Sequence, residues 1–94
     1  MIRSFANKTT EAFFRADECP AGWRAFKGVA YRKLDMVDAA VAIDDLRSPP
    51  GNRLEKLKGD RAGSWSIRVN GQYRICFRWG TEGPEDVEIV DYHG

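Results

Sequence analysis

The stretch from Ser64 to Trp79, SWSIRVNGQYRICFRW, constrains this fold more than any other part of the chain. Trp65, Ile67 and Val69 alternate with Ser66 and Arg68, and then Tyr73, Ile75, Phe77 and Trp79 alternate with Arg74, Cys76 and Arg78. A period of two marks strands with one apolar face. Asn70-Gly71 between them is the usual sign of a hairpin with a two-residue type I′ turn. Parity argues against that turn. A two-residue loop would set Ile67 against Arg74 and mix the faces. An odd connection sets Ile67 opposite Ile75 and Arg68 opposite Arg74, and a one-residue slip would expose the whole apolar set.

Around this hairpin the remaining elements follow. The opening IRSF is a candidate short strand. NKTTEAFFRAD starts a helix, with Thr9 or Thr10 as cap, Glu11 near the positive dipole end and Ala12, Phe13 and Ala16 as apolar positions. Pro20 and Gly22 stop it. From about Trp23 to Leu46, Phe26, Val29, Ala30, Leu34, Val37 and Val41 recur at helical spacing, with Arg32, Lys33, Asp35 and Asp38 towards water. RSPPGN ends that helix in a loop. TEGPED is the next turn and VEIVDY a third strand, apolar on both parities at Val87, Ile89 and Val90, as a strand covered on both sides would be. The fold expected is α+β in a single domain spanning residues 1–94: two N-terminal helices, then a mainly antiparallel sheet.

Facing then decides the chemistry. Trp65, Ile67, Tyr73, Ile75 and Phe77 pack under the helices, leaving Ser66, Arg68, Arg74, Cys76 and Arg78 on the other face. Three arginines on one face repel unless acidic residues or a phosphate chain lie between them. The net charge of +1 hides a segregation. Residues 53–79 carry seven basic side chains against Glu55 and Asp60, net +5, while residues 80–94 carry five carboxylates and no Lys or Arg. A basic middle beside an acidic tail suggests contact with a polyanion. No apolar run approaches a membrane span and the N-terminus lacks a signal-peptide core, so a cytoplasmic protein with no membrane partner is expected. Cys19 and Cys76 form neither a metal spacing nor a disulfide framework.

The ordered set Leu57-Lys58-Gly59-Asp60-Arg61, Trp65-Ser66-Ile67, Tyr73-Arg74-Ile75 and Asp91-Tyr92-His93 resembles the RelE superfamily, most closely its HigB-type toxins. The resemblance runs through residues 53–93 and extends more loosely into the long helix and the opening IRSF. It implies a RelE-like α+β fold with a curved sheet presenting a basic concave site. It further implies a toxin of a type II toxin–antitoxin system that cleaves messenger RNA on the ribosome without metal or other cofactor. The partners it implies are the ribosome, the message and a HigA-type helix-turn-helix antitoxin, through which alone operator DNA would be reached.

Cleavage by the RNA's own 2′-hydroxyl needs a base, a cation to stabilise the crowded phosphorane, and an acid for the leaving 5′-oxygen. Carried over from the family motif, Lys58 and Arg74 are the phosphate stabilisers. His93, the only histidine, titrates near neutral pH and serves as acid or base. Asp91 orients or charges the imidazole or shares in proton removal. Tyr92 stacks on a base or donates to a phosphate oxygen. Lys56, Arg61 and Arg68 bind the RNA backbone or ribosomal RNA. Some relatives carry a histidine where this chain has Glu55, which excludes a two-histidine mechanism. Glu55 is itself a candidate base or RNA contact, and the base stays unassigned. Two alternatives stand beside this reading: a ParE-like gyrase poison and a non-catalytic RNA- or ribosome-binding module.

Overall fold

The computed structural model describes residues 1–92, so His93 and Gly94 lie outside it. A meander of four antiparallel strands runs in chain order: β1 (Glu55–Lys56), β2 (Ser64–Arg68), β3 (Tyr73–Gly80) and β4 (Gly83–Asp91). Helices α1 (Lys8–Ala16) and α2 (Lys27–Ala39) pack on one face. The α+β architecture expected from the sequence is the one found.

The β2–β3 hairpin takes the odd connection. Ile67 pairs with Ile75 and Arg68 with Arg74. Asn70 Oδ1 accepts the backbone N–H groups of Gln72 and Tyr73, each at 2.8 Å, and this side-chain turn closes the loop in place of a two-residue one. The next turn is shorter than expected. Gly80 pairs with Gly83, so β4 begins four residues before Val87.

A bulge in β4 then decides which side chains meet. Arg78 pairs with Glu85 but Cys76 pairs with Glu88, so Asp86 and Val87 together face Phe77. Asp86 takes the left-handed conformation (φ 51°) that one class of bulge uses. The extra residue reverses the parity of the strand beyond it. Val87 and Ile89 turn into the core, and Glu88, Val90 and Tyr92 come onto the face of Arg74.

The core is one cluster under the helices, containing Ile2, Phe13, Ala30, Leu34, Val37, Leu46, Ile67, Ile75, Phe77, Val87 and Ile89. The opening segment lies parallel to β4, bridged at Phe5 and Val87, and fills the role expected of IRSF. Asn7 caps α1, not Thr9 or Thr10: its side chain accepts the N–H of Thr10 at 2.8 Å. Thr10 is fully buried instead, where its hydroxyl accepts the N–H of Ile89 from β4 at 3.1 Å. That bond satisfies a donor the helix would otherwise bury without a partner.

The long helix expected over Trp23–Leu46 is three pieces: a 3₁₀ turn at Ala21–Phe26, α2, and a second 3₁₀ turn at Ile43–Arg47. Ala40 is extended, and Asp45 Oδ2 accepts the backbone N–H groups of Val41 and Ala42 at 2.9 and 3.1 Å. Acidic residues suit the start of a helical turn and not the end of one, so Asp44 and Asp45 open a new turn. Both bonds favour the ionised carboxylate and hold Asp45 below the usual carboxylate range.

Candidate RNA-binding face and its arginine

The sheet face away from the helices holds Ser66, Arg74, Cys76, Glu88 and Tyr92, with Arg61 reaching over it. Arg74 is its centre. The side chain is only 12% exposed. Its Nε donates to Ser66 Oγ at 2.7 Å and its Nη2 to the carbonyl of Arg53 at 2.8 Å. Ser66 is itself fully buried and stands beside β1, opposite Glu55. Glu55 lies 3.8 Å from Nη2, and the ring of Tyr92 is 5.9 Å from the guanidinium carbon. A guanidinium so held has lost its rotamer freedom, and the two bonds leave its Nη1 donors for an oxyanion.

Arg61 closes the face from above. It sits in the short turn Gly59–Arg61, and its Nη1 meets Glu88 Oε1 at 3.0 Å. That hydrogen bond raises the affinity of Arg61 for its proton. Glu88 also accepts from Asn7 Nδ2 at 3.4 Å, which joins the α1 cap to the same network. Lys58 precedes this turn and is exposed. Among the described residues its side chain makes no ion pair. Internal carboxylates thus answer part of the repulsion expected of this face, Glu88 at Arg61 and Glu55 at Arg74.

Other residues singled out from the sequence lie elsewhere. Lys56 pairs with Trp65, so it stands on the helix side of the sheet, its ammonium 5.8 Å from the Trp65 ring. Asp91 pairs with Tyr73, on the side of the sheet opposite Arg74, and its carboxylate accepts from Gln72 Nε2 at 3.0 Å. Arg68 stands beside Arg74 in register. His93 falls outside the described residues. Among those residues no group of His, Cys, Asp or Glu side chains is arranged to hold a metal ion. No helix is long and apolar enough to cross a membrane.

Sequence reasoning missed Ser66 as the acceptor that holds Arg74, and it missed Glu88. It also placed Lys33 towards water. Lys33 is half-buried, and its ammonium donates to Asn52 Oδ1. Burial, then the charges of Arg32 and Arg68, lower its pKa.

Cys76 shares this face but is 2% exposed, and burial pushes its thiol pKa up, with Glu88 acting in the same direction. A thiol that stays protonated is a poor nucleophile. At pH 8 iodoacetamide should label Cys19 in the native protein and Cys76 only after denaturation, as peptide mass spectrometry would show. Rapid native labelling of Cys76 would contradict its burial. The unfolded chain ionises this thiol from about pH 8.5 while the folded chain keeps it neutral. Its contribution to stability is therefore full below that pH and declines as pH rises towards the folded-state value.

Comparison with known proteins places the chain in a family. Residues 3–93 match the HigB-like toxin family, described as RelE-like toxins of the type II toxin–antitoxin system HigB. The chain is 43% identical over 83 residues to Toxin HigB-1 of Vibrio cholerae serotype O1, covering 84% of each chain. It is 28% identical over 99 residues to Endoribonuclease HigB of Proteus vulgaris, covering 99% of this chain and all of that one. A YoeB/ParE toxin from Agrobacterium tumefaciens shares the fold with a TM-score of 0.52 and 20% identity, over 99% of this chain and 98% of that one. With nearly the whole sequence matched, the chain belongs to the HigB-like family of RelE-like toxins, whose type II systems pair each toxin with an antitoxin.

Proposed function

We propose that this chain is an endoribonuclease that cleaves messenger RNA on the ribosome by attack of the 2′-hydroxyl, without a metal. The observation that carries the reading is Arg74, a guanidinium locked by Ser66 and Arg53 beside an aromatic ring on a basic sheet face. Such a fork is pre-organised for the charge that builds on a phosphorane, and fixed donors of this kind supply a large share of catalysis. The name of the Proteus vulgaris relative supports the same activity.

In this reading Arg74 binds the scissile phosphate and Lys58, exposed at the rim, adds a second charge. Tyr92 stacks on a base, and His93 transfers the proton. Asp91, two residues before His93, orients or charges the imidazole. Glu55 beside Arg74 leaves as RNA enters. Arg61 and Arg68 hold the backbone, and Lys56, on the other side of β1, faces ribosomal RNA. The partners are the ribosome, its message and a HigA-type antitoxin, in the cytoplasm.

Pulse expression followed by mapping of message ends, with and without ongoing translation, tests this. Wild-type protein should cut messages only while they are translated, and His93→Gln and Lys58→Ala should abolish cutting and growth arrest while the fold persists. Full toxicity of both variants would remove the assigned site. Intact messages with gyrase-dependent DNA breaks would favour the ParE-like alternative.

A further inference from the structure

We propose that Lys33 on α2 and Arg68 on β2 form a second phosphate subsite, continuing the RNA path from Arg74 past the edge of the sheet. The proposal rests on the ribonuclease reading and adds to it a contact from the helical layer. Arg68 and Arg74 are cross-strand partners, and paired strands lie about 4.8 Å apart, so their side chains leave the same face side by side. The turn Pro50–Asn52 packs against β2, the strand of Arg68.

That turn fixes Lys33. Asn52 is fully buried, and its Nδ2 donates to the carbonyls of Leu46 and Ser48 at 3.2 and 3.4 Å. Its remaining oxygen accepts from the Lys33 ammonium. The lysine is therefore oriented by a buried amide and not left to solvent. Its electrostatic surroundings are wrong for a purely structural tie. Burial disfavours its charge, Arg32 and Arg68 add to that, and no carboxylate pairs with Lys33 or Arg68 among the described residues. Arg74 on the same face and Arg61 above it each have a glutamate. A half-buried ammonium oriented on the turn that packs against β2, with an unpaired guanidinium on that strand, is a place for an external anion. Alignment with Arg74 makes the next phosphate of the same strand that anion.

The test is the salt dependence of binding to a 12-nucleotide single-stranded RNA, 2′-O-methylated so that it cannot be cut, both free and bound as the message on ribosomes. For single strands each neutralised phosphate contributes about 0.7 to the slope of log affinity against log salt. Lys33→Gln and Arg68→Gln should each lower the slope, and the double variant should lower it by about 0.7 in all, the share of the one phosphate they hold together, while Lys33→Arg keeps it. Arg68→Gln leaves the Asn52 contacts untouched, so a fault in folding at Lys33 would not hide the result. Unchanged slopes in both Gln variants, with Arg74→Gln still weakening binding, would overturn the subsite and leave the ribonuclease reading standing. Absence of wild-type binding to free RNA and to ribosomes alike would overturn both.

Discussion

Arg74→Lys is expected to lower message cleavage by about a hundredfold or more, although it keeps the charge. Removing one pre-organised donor from a site of developing negative charge typically lowers turnover by about 10²–10³. Lysine lacks the planar fork, and its one ammonium has to replace donors that now reach Ser66 Oγ and the Arg53 carbonyl from different nitrogens. The loss should appear in turnover more than in binding, because the fixed fork matches the charge that builds on the phosphorane more than the charge of the ground-state phosphate. Ser66→Ala supplies the contrast. It removes the acceptor for Nε, leaves the charge in place, and should lower turnover less than Arg74→Lys does. Single-turnover cleavage on programmed ribosomes, with urea unfolding as a control, would read both. Near-normal turnover in Arg74→Lys would show that charge alone suffices there and that the locked guanidinium has no special part.

The difference between what the chain disclosed and what it concealed comes down to parity and to tertiary contact. Alternation in β2 and β3 carries its own register, because Ile67 and Ile75 have nowhere else to go, and the pairing of Arg68 with Arg74 follows. In β4 the same reasoning fails. Counted back from the tight turn after Gly80, an unbroken strand would bring Asp91 to the face of Arg74 and turn Glu88 inward. The bulge at Asp86 exchanges them, so Asp91 lies across from Tyr73 and Tyr92 joins Arg74. No local preference announced that insertion. Its driving force is the burial of Val87 and Ile89, which alternate with Glu88 and therefore enter the core only if the phase shifts.

Lys33 was hidden for a different reason. On a helical wheel it is flank, and only the fold of PPGN beneath α2 makes it half-buried. Asn52 looked like a loop former and proves to be a buried hub. The cap of α1 shows a third kind of failure. Asn7, Thr9 and Thr10 are all good caps, and the choice among them was made by β4, which needs Thr10 for the N–H of Ile89. Lys58, Arg74 and Tyr92 could be singled out as candidates because they come in an ordered set; Ser66 and Glu88, which bond Arg74 and Arg61, were visible only once the strands were paired.

Phe77→Ala should produce the largest loss of stability. Phe77 is 1% exposed, packs under the helices in the main cluster, and is the residue that Asp86 and Val87 jointly face across the bulge. Truncating a buried phenylalanine costs about 3–5 kcal/mol, the transfer energy of the ring plus the cavity it leaves. A domain of this size has about 5–15 kcal/mol in all, so the variant approaches the threshold of folding. Phe77→Leu keeps a branched apolar side chain in the same place and should cost about 1–1.5 kcal/mol. Urea midpoints should fall in that order, with melting temperatures dropping by about 4–8 °C per kcal/mol. Cleavage per folded molecule should stay near wild type in both variants. Ile67, Ile75, Val87 and Ile89 still fix the phase of β4, and with it the side of the sheet on which Glu88 and Tyr92 emerge. A Phe77→Ala midpoint no lower than that of Phe77→Leu would remove Phe77 from the centre of the core. Cleavage lost out of proportion to folding would show that the ring, and not its aliphatic neighbours, holds the bulge in place.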